Sequence, residues 1–280
     1  MRLALLLPVL ALHPLAAPSA PPAPRTLQEA ATEENRFVSL YREYAASGES
    51  AKLATLWKTM PERVLSTIDQ DLEGSLRLLE EAEANELRAI DMNKVEEMQQ
   101  RALFGARAAA EATGHPILLD YASSFVGWTP LERKSFRAGQ TAFSLSRRAF
   151  ADEKWEKALS EGQRCLDLAA PLGDWWGTAM GLAAVGAAHA AKGDHAQAAS
   201  FLGRARLLNH DLGLTSSEYR ALQGLANSLR ALGRTPRYEA CLPELLRLAK
   251  AVGDIEGAKR WADLVAGVTP PDEEAAPRDE

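Results

Sequence analysis

The chain has 280 residues, 32 basic against 38 acidic side chains, a formal charge of −6 and two cysteines. The acid excess and the lack of a Lys/Arg cluster exclude general affinity for phosphate backbones, so no nucleic-acid partner is expected. Two cysteines exclude the disulfide framework of small secreted modules. Ala, Leu, Glu and Arg dominate, aromatics make up 6%, and runs of Val, Ile and Thr are scarce, which points to an all-α fold.

In chain order, residues 1–20 come first, "MRLALLLPVLALHPLAAPSA". Arg2 precedes an apolar run from Leu3 to Leu12 and a small-residue stretch from Ala16 to Ala20. That layout is a secretory signal peptide, and the run is too short to span a bilayer. The expectation is export to the periplasm or the extracellular space, with no stable membrane span once the signal is cleaved. Residues 21–26 form a Pro-rich linker. Residues 27–136 carry an irregular helical pattern, with helices expected over 27–47, 51–60, 62–84, 93–112, 116–126 and 130–137. They read either as degenerate helix–turn–helix units, with Gly48 as one corner, or as a separate helical domain bounded near Gly127.

From 137 to 267 the pattern repeats every forty residues. Leu145, Val185 and Leu225 share a column, followed by the small residues Ser146, Gly186 and Ala226. Glu153, Gly193 and Gly233 mark a tight corner, and Gly173, Gly213 and Gly253 a second one. Small side chains let two antiparallel helices approach, and a left-handed glycine lets the chain reverse. Asp174 and the pair Thr215–Glu218 are expected to cap the helices that follow. Each unit is thus helix A, a turn, helix B and a Gly-ended connection, and each buries its stripe only by stacking on its neighbours. Cys165 and Cys241 are read as small core-facing residues. Residues 254–267, "DIEGAKRWADLVAG", supply a terminal capping helix. The tail 268–280, "VTPPDEEAAPRDE", carries five acids and Arg278, a net charge of −4, and reads as disordered.

The stretch 182–208, "LAAVGAAHAAKGDHAQAASFLGRARLL", resembles the tetratricopeptide-repeat (TPR) family in its small residues, Gly-Asp corner and paired alanines. The resemblance covers about 140–254. Unit 142–174 departs at Glu153, although Trp155 takes the family's aromatic position. Unit 222–254 departs further, with Pro236 and Tyr238 expected to disturb helix B. The resemblance implies a right-handed α-α superhelix whose A helices line a concave groove for peptides. In the family's register the inward residues are Phe143, Arg147 and Phe150, then Ala183 and Ala187, then Arg220, Gln223, Asn227 and Arg230. Arg147 and Asn227 match positions that hold a peptide carboxylate in some members, but the Lys those members add is absent.

No residue pattern points to catalysis. There is no Gly-x-Ser-x-Gly elbow, no phosphate loop and no metal-spaced histidine pair, so no catalytic, cofactor or metal residue is expected. Of the adjacent Trp175 and Trp176, one helix face buries only one, so the other should be partly exposed. The functional expectation is an exported, non-catalytic scaffold docking a protein or peptide. The alternative is a helical-repeat enzyme acting on envelope polysaccharide or peptidoglycan.

Overall fold

The computed structural model describes residues 27–84 and 91–268, so the expected signal, linker and nearly all of the acidic tail lie outside the described residues. It is an all-α solenoid. The helices are α1 (Leu27–Ala46), α2 (Ser50–Thr59), α3 (Pro61–Ala84), α4 (Met92–Thr113), α5 (Ile117–Gly127) and α6 (Pro130–Ala151). They continue with α7 (Trp155–Ala169), α8 (Trp175–Ala191), α9 (His195–Asp211), α10 (Thr215–Ala231), α11 (Thr235–Val252) and α12 (Ile255–Val265). From α6 onward each helix packs on the next, and α8 also touches α6 and α10. The A helices α6, α8, α10 and α12 therefore form one row, and α7, α9 and α11 form the other.

The corners explain the regularity. Glu153, Gly173, Gly193, Gly213, Gly233 and Gly253 stand twenty residues apart and all have positive φ, between 58° and 82°. At each corner that residue donates its N–H three residues back and the next residue donates five residues back. Examples are Gly193 to Ala190 (3.1 Å) with Asp194 to His189 (2.9 Å), and Gly253 to Lys250 (3.3 Å) with Asp254 to Ala249 (2.9 Å). The second bond ties off a carbonyl orphaned at the helix end.

Glu153 makes the same bonds, Glu153 to Phe150 and Lys154 to Ala149, with a side chain where its counterparts have none. A left-handed residue with a Cβ is strained by about 1 kcal/mol. Glu153→Gly is therefore expected to stabilise the protein by about 0.5 kcal/mol, after the extra chain entropy of glycine is offset. A urea midpoint that falls in this variant would contradict the strain.

The small-residue column works as expected. Ser146 donates to the Ala158 carbonyl at 2.7 Å, fixing α6 against α7. A Cβ on Gly186 would sit 2.7 Å from Leu202 of α9, and one on Gly181 2.9 Å from the Leu166 backbone nitrogen of α7.

Several local expectations are corrected. The helix expected over 130–137 does not stop there. It is the first half of α6, started by a capping box in which Thr129 and Glu132 bond each other's backbone. The Thr215–Glu218 box does not form. The N-cap of α10 is Leu214, in the column otherwise held by the caps Asp174 and Asp254. Glu218 instead turns inward, 3.2 Å from His210 and 3.8 Å from Arg206. Pro236 does not disturb α11, because it occupies the first turn, where no amide donor is needed. Cys165 is buried as expected, but Cys241 is only half-buried, and both are free thiols.

The largest apolar cluster joins α1 to α6. It centres on Tyr41, Trp57, Leu65, Ile68, Tyr121, Phe125 and Trp128 and runs on to Leu172, Ala179 and Leu212. A second surrounds Leu222, Leu245, Leu248 and Trp261 at the far end. Between them the helices approach closely over small residues, Ala149, Ala158, Ala188, Ala205 and Ala221, beside Leu166 and Leu182. Polar ties attach the N-terminal helices to the repeats. Trp128 donates to the Leu172 carbonyl (2.9 Å), Arg137 of α6 forks onto Glu80 and Glu73 of α3, and Arg133 pairs with Glu83.

Candidate functional site

The row of A helices carries a cleft of about 570 Å³. Six of the expected groove residues line it: Phe143, Arg147 and Phe150 on α6, Ala183 and Ala187 on α8, and Arg220 on α10. Gln223, Asn227 and Arg230 do not. The cleft leaves α10 at Ser217 and Arg220, before those residues are reached. It therefore crosses the helices obliquely, from the end of α6 at Ala151 to the beginning of α10, and a fixed column does not track it. Trp176 and Met180 also line it, a turn earlier on α8 than the register implies.

The floor is apolar because helix A of the middle unit presents Ala179, Ala183, Ala184 and Ala187 on this face, with Trp176 and Met180 a turn earlier. Phe150 is 39% exposed and its ring stands edge-on to Trp155 at 5.0 Å. Trp155, in the aromatic position of the repeat, is half-buried at this rim. The charge comes from two guanidinium groups. Arg147 lies over the Phe143 ring at 5.9 Å, and Arg220 donates to the Ser216 carbonyl of its own helix at 3.3 Å. Among the described residues neither makes an ion pair, although Arg101, Arg137 and Arg247 all do. The cleft is thus a smooth apolar trough with an uncompensated positive charge at each end.

Behind Trp176 and Met180 lies a smaller cavity of about 260 Å³, with α3, α5 and α6 on its other side. Sequence reasoning missed it, since its members are far apart in the chain. Asp69 of α3 accepts from the Tyr121 hydroxyl at 2.5 Å, and burial pushes its carboxyl up to about 7 against that bond. Asp174 caps α8 by accepting from the Gly177 N–H at 2.8 Å, and burial raises it to about 6. Burial also pushes the Cys165 thiol up to about 12, with Asp174 adding to the effect. These carboxyls resist ionisation because low-dielectric surroundings penalise the charged form.

Asp69 holds its proton in the folded chain at pH values where the unfolded chain has released it, so this residue's contribution declines as pH rises from about 4 to 7. Asp69→Asn, which keeps an acceptor for Tyr121 and carries no charge, should gain on the wild type over that range. The gap in unfolding free energy between pH 5 and pH 7.5 should widen by on the order of 1 kcal/mol. A gap that stays constant would mean Asp69 ionises freely in the fold.

The two adjacent tryptophans part company. Trp176 faces the cleft and cavity, Trp175 faces His115, Pro116 and Ile117 on the opposite side, and both are half-buried. Two of the histidines have structural neighbours. His189 stacks on Phe201 and lies 3.3 Å from Asp194, and His210 meets Glu218. Among the described residues, no three His, Cys, Asp or Glu side chains converge as a metal set, and no helix is long and apolar enough to cross a membrane.

No family model matches the chain, and no curated protein matches it. Its likeness to a helical repeat rests on the forty-residue columns and on the sequential packing of its helices.

Proposed function

We propose that the chain is an exported, non-catalytic scaffold of the TPR kind that docks an extended acidic segment of a protein or peptide in the oblique cleft across α6, α8 and α10. One observation carries this reading: Arg147 and Arg220, unpaired with any acid among the described residues, stand at the two ends of an apolar floor built from Ala183, Ala187, Met180 and Trp176. A guanidinium offers a planar pair of donors to a carboxylate, and an alanine floor lets a peptide backbone lie close. Export rests on the layout of residues 1–20. The test is binding of short synthetic peptides of graded negative charge to the wild-type chain and to the chain carrying Arg147→Glu and Arg220→Glu. Binding that does not grow with peptide charge would end this reading.

A second reading, an enzyme acting on envelope polysaccharide or peptidoglycan, draws on the raised Asp69 and Asp174 carboxyls beside the cleft. Both already hold a structural bond, to Tyr121 and Gly177, which favours docking over chemistry. Release of soluble fragments from purified peptidoglycan, abolished by Asp69→Asn, would reverse that preference.

A further inference from the structure

The chain leaves the described structure from the same row of helices that floors the cleft. Helix α12 lies directly against α10, because Trp261 donates to the Tyr219 hydroxyl at 2.8 Å and that hydroxyl donates to Asp254 at 2.8 Å. At a period of forty, Gly267 falls in the column of Asn227, Ala187 and Arg147. Residue 268 therefore emerges at the end of the row α12, α10, α8, α6, and Val268 is 55% exposed there. The segment that follows, 269–280, reads TPPDEEAAPRDE, with a net charge of −4.

Distance and charge fit this segment to the cleft. Arg220 lies one helix over from α12 and seven residues back along the axis from the Gly267 column. At about 10 Å between packed helices and about 1.5 Å per residue, that is about 15 Å from the exit. Asp272, Glu273 and Glu274 follow Val268 by four to six residues, a span of about 13 to 20 Å when extended. Arg147 lies three helices over, about 30 Å away. Asp279 and Glu280 reach it at about 36 to 40 Å of extended chain. Between the two acidic groups stand Ala275, Ala276 and Pro277, small enough to suit the alanine floor, and Arg278, whose long side chain would have to turn away from Arg147 to solvent; a proline pair such as Pro270–Pro271 favours an extended backbone.

We propose that, without a partner, the cleft is occupied by the chain's own segment 269–280, laid across α10 and α8 with its first acids at Arg220 and its last at Arg147. This rests on the docking reading above and adds the occupant. Tethering matters to the outcome: a short link gives an effective concentration in the millimolar range, so a segment of modest intrinsic affinity fills the site. A partner must displace it, and its measured affinity is lowered by the fraction of chains already filled.

The experiment uses the full chain and a synthetic peptide of residues 268–280 carrying a neutral dye. Binding is followed by fluorescence anisotropy for the wild type, for Asp272→Asn/Glu273→Gln/Glu274→Gln, and for that triple variant with Arg147→Glu and Arg220→Glu added. The peptide should bind the triple variant at least tenfold more tightly than the wild type, and the added Arg substitutions should remove the gain. Equal binding to wild type and triple variant overturns self-occupancy. No binding to the triple variant, while other acidic peptides bind it through Arg147 and Arg220, overturns the proposal and leaves the docking reading standing. Failure of every acidic peptide removes both. Wild-type chains that form dimers on concentration, and lose them in the triple variant, would place a second copy's tail in the cleft instead and also overturn the proposal.

Discussion

A chain carrying Arg147→Glu and Arg220→Glu is expected to bind acidic peptides about a hundredfold more weakly than the wild type while unfolding at the same denaturant concentration. Each exposed guanidinium–carboxylate contact contributes about 1 kcal/mol, and its replacement by repulsion of about half that size brings the loss to about 3 kcal/mol for two sites. Stability should hold because both side chains are exposed and neither makes an ion pair among the described residues. Arg148→Glu is the control, since Arg148 is exposed on α6 but does not line the cleft. Equal losses for Arg148→Glu and Arg147→Glu would mean that the effect is a general field of the surface and not a site.

The second large effect belongs to stability. Trp57 is 2% exposed, its ring lies 5.3 Å from Tyr41 and 5.5 Å from Phe37, and its indole donates to the Gly105 carbonyl at 2.9 Å. Trp57→Ala removes the ring that joins α1 and α2 to α4 and leaves a cavity, at a cost of about 3 to 5 kcal/mol. Tyr41 shares the loss, because its hydroxyl donates to Asp71 at 2.8 Å and Asp71 is also gripped by Arg101 at 2.6 Å. The damage should stay local. Residues of the distal cluster, such as Leu245 and Leu248, touch only their own neighbours, and stacked units are coupled mainly to the next unit. Hydrogen exchange should therefore show α1, α2 and α4 losing protection by several hundredfold or more, and α10 and α11 far less. Uniform loss along all helices would show that the alanine-rich middle transmits unfolding completely.

Much of this architecture was readable from residue order. The helices expected over 27–47, 62–84 and 93–112 fall within two residues of α1, α3 and α4, because their boundaries carry Gly48, Pro61, Asp91 and Gly114, residues with strong local conformational demands. The three connecting glycines have left-handed φ for the same reason. Misreadings came where a local signal competed with a distant partner. Thr215 and Glu218 have capping-box spacing, yet Glu218 is drawn inward by Arg206 and His210 on the preceding helix. Gln223, Asn227 and Arg230 lie further along α10 than Ser217 and Arg220, the residues of that helix that line the cleft. The cavity at Asp69 was invisible because its closest bond, to Tyr121, joins residues 52 positions apart.

The corners also differ from one edge of the molecule to the other. A side chain added at Gly173 would strike Ser124 at 2.5 Å and one at Gly213 would press on the Pro61 carbonyl at 3.2 Å, whereas Gly193 and Gly233 on the other edge have nothing within 4 Å; Gly253, the last corner of the first edge, is open as well. The N-terminal helices thus clamp one rim of the solenoid at two successive turns, while the opposite rim hangs free. Such an object bends like a fan held at its rivet. Any widening of the cleft is expected at the unclamped rim, where Phe150 and Trp155 stand.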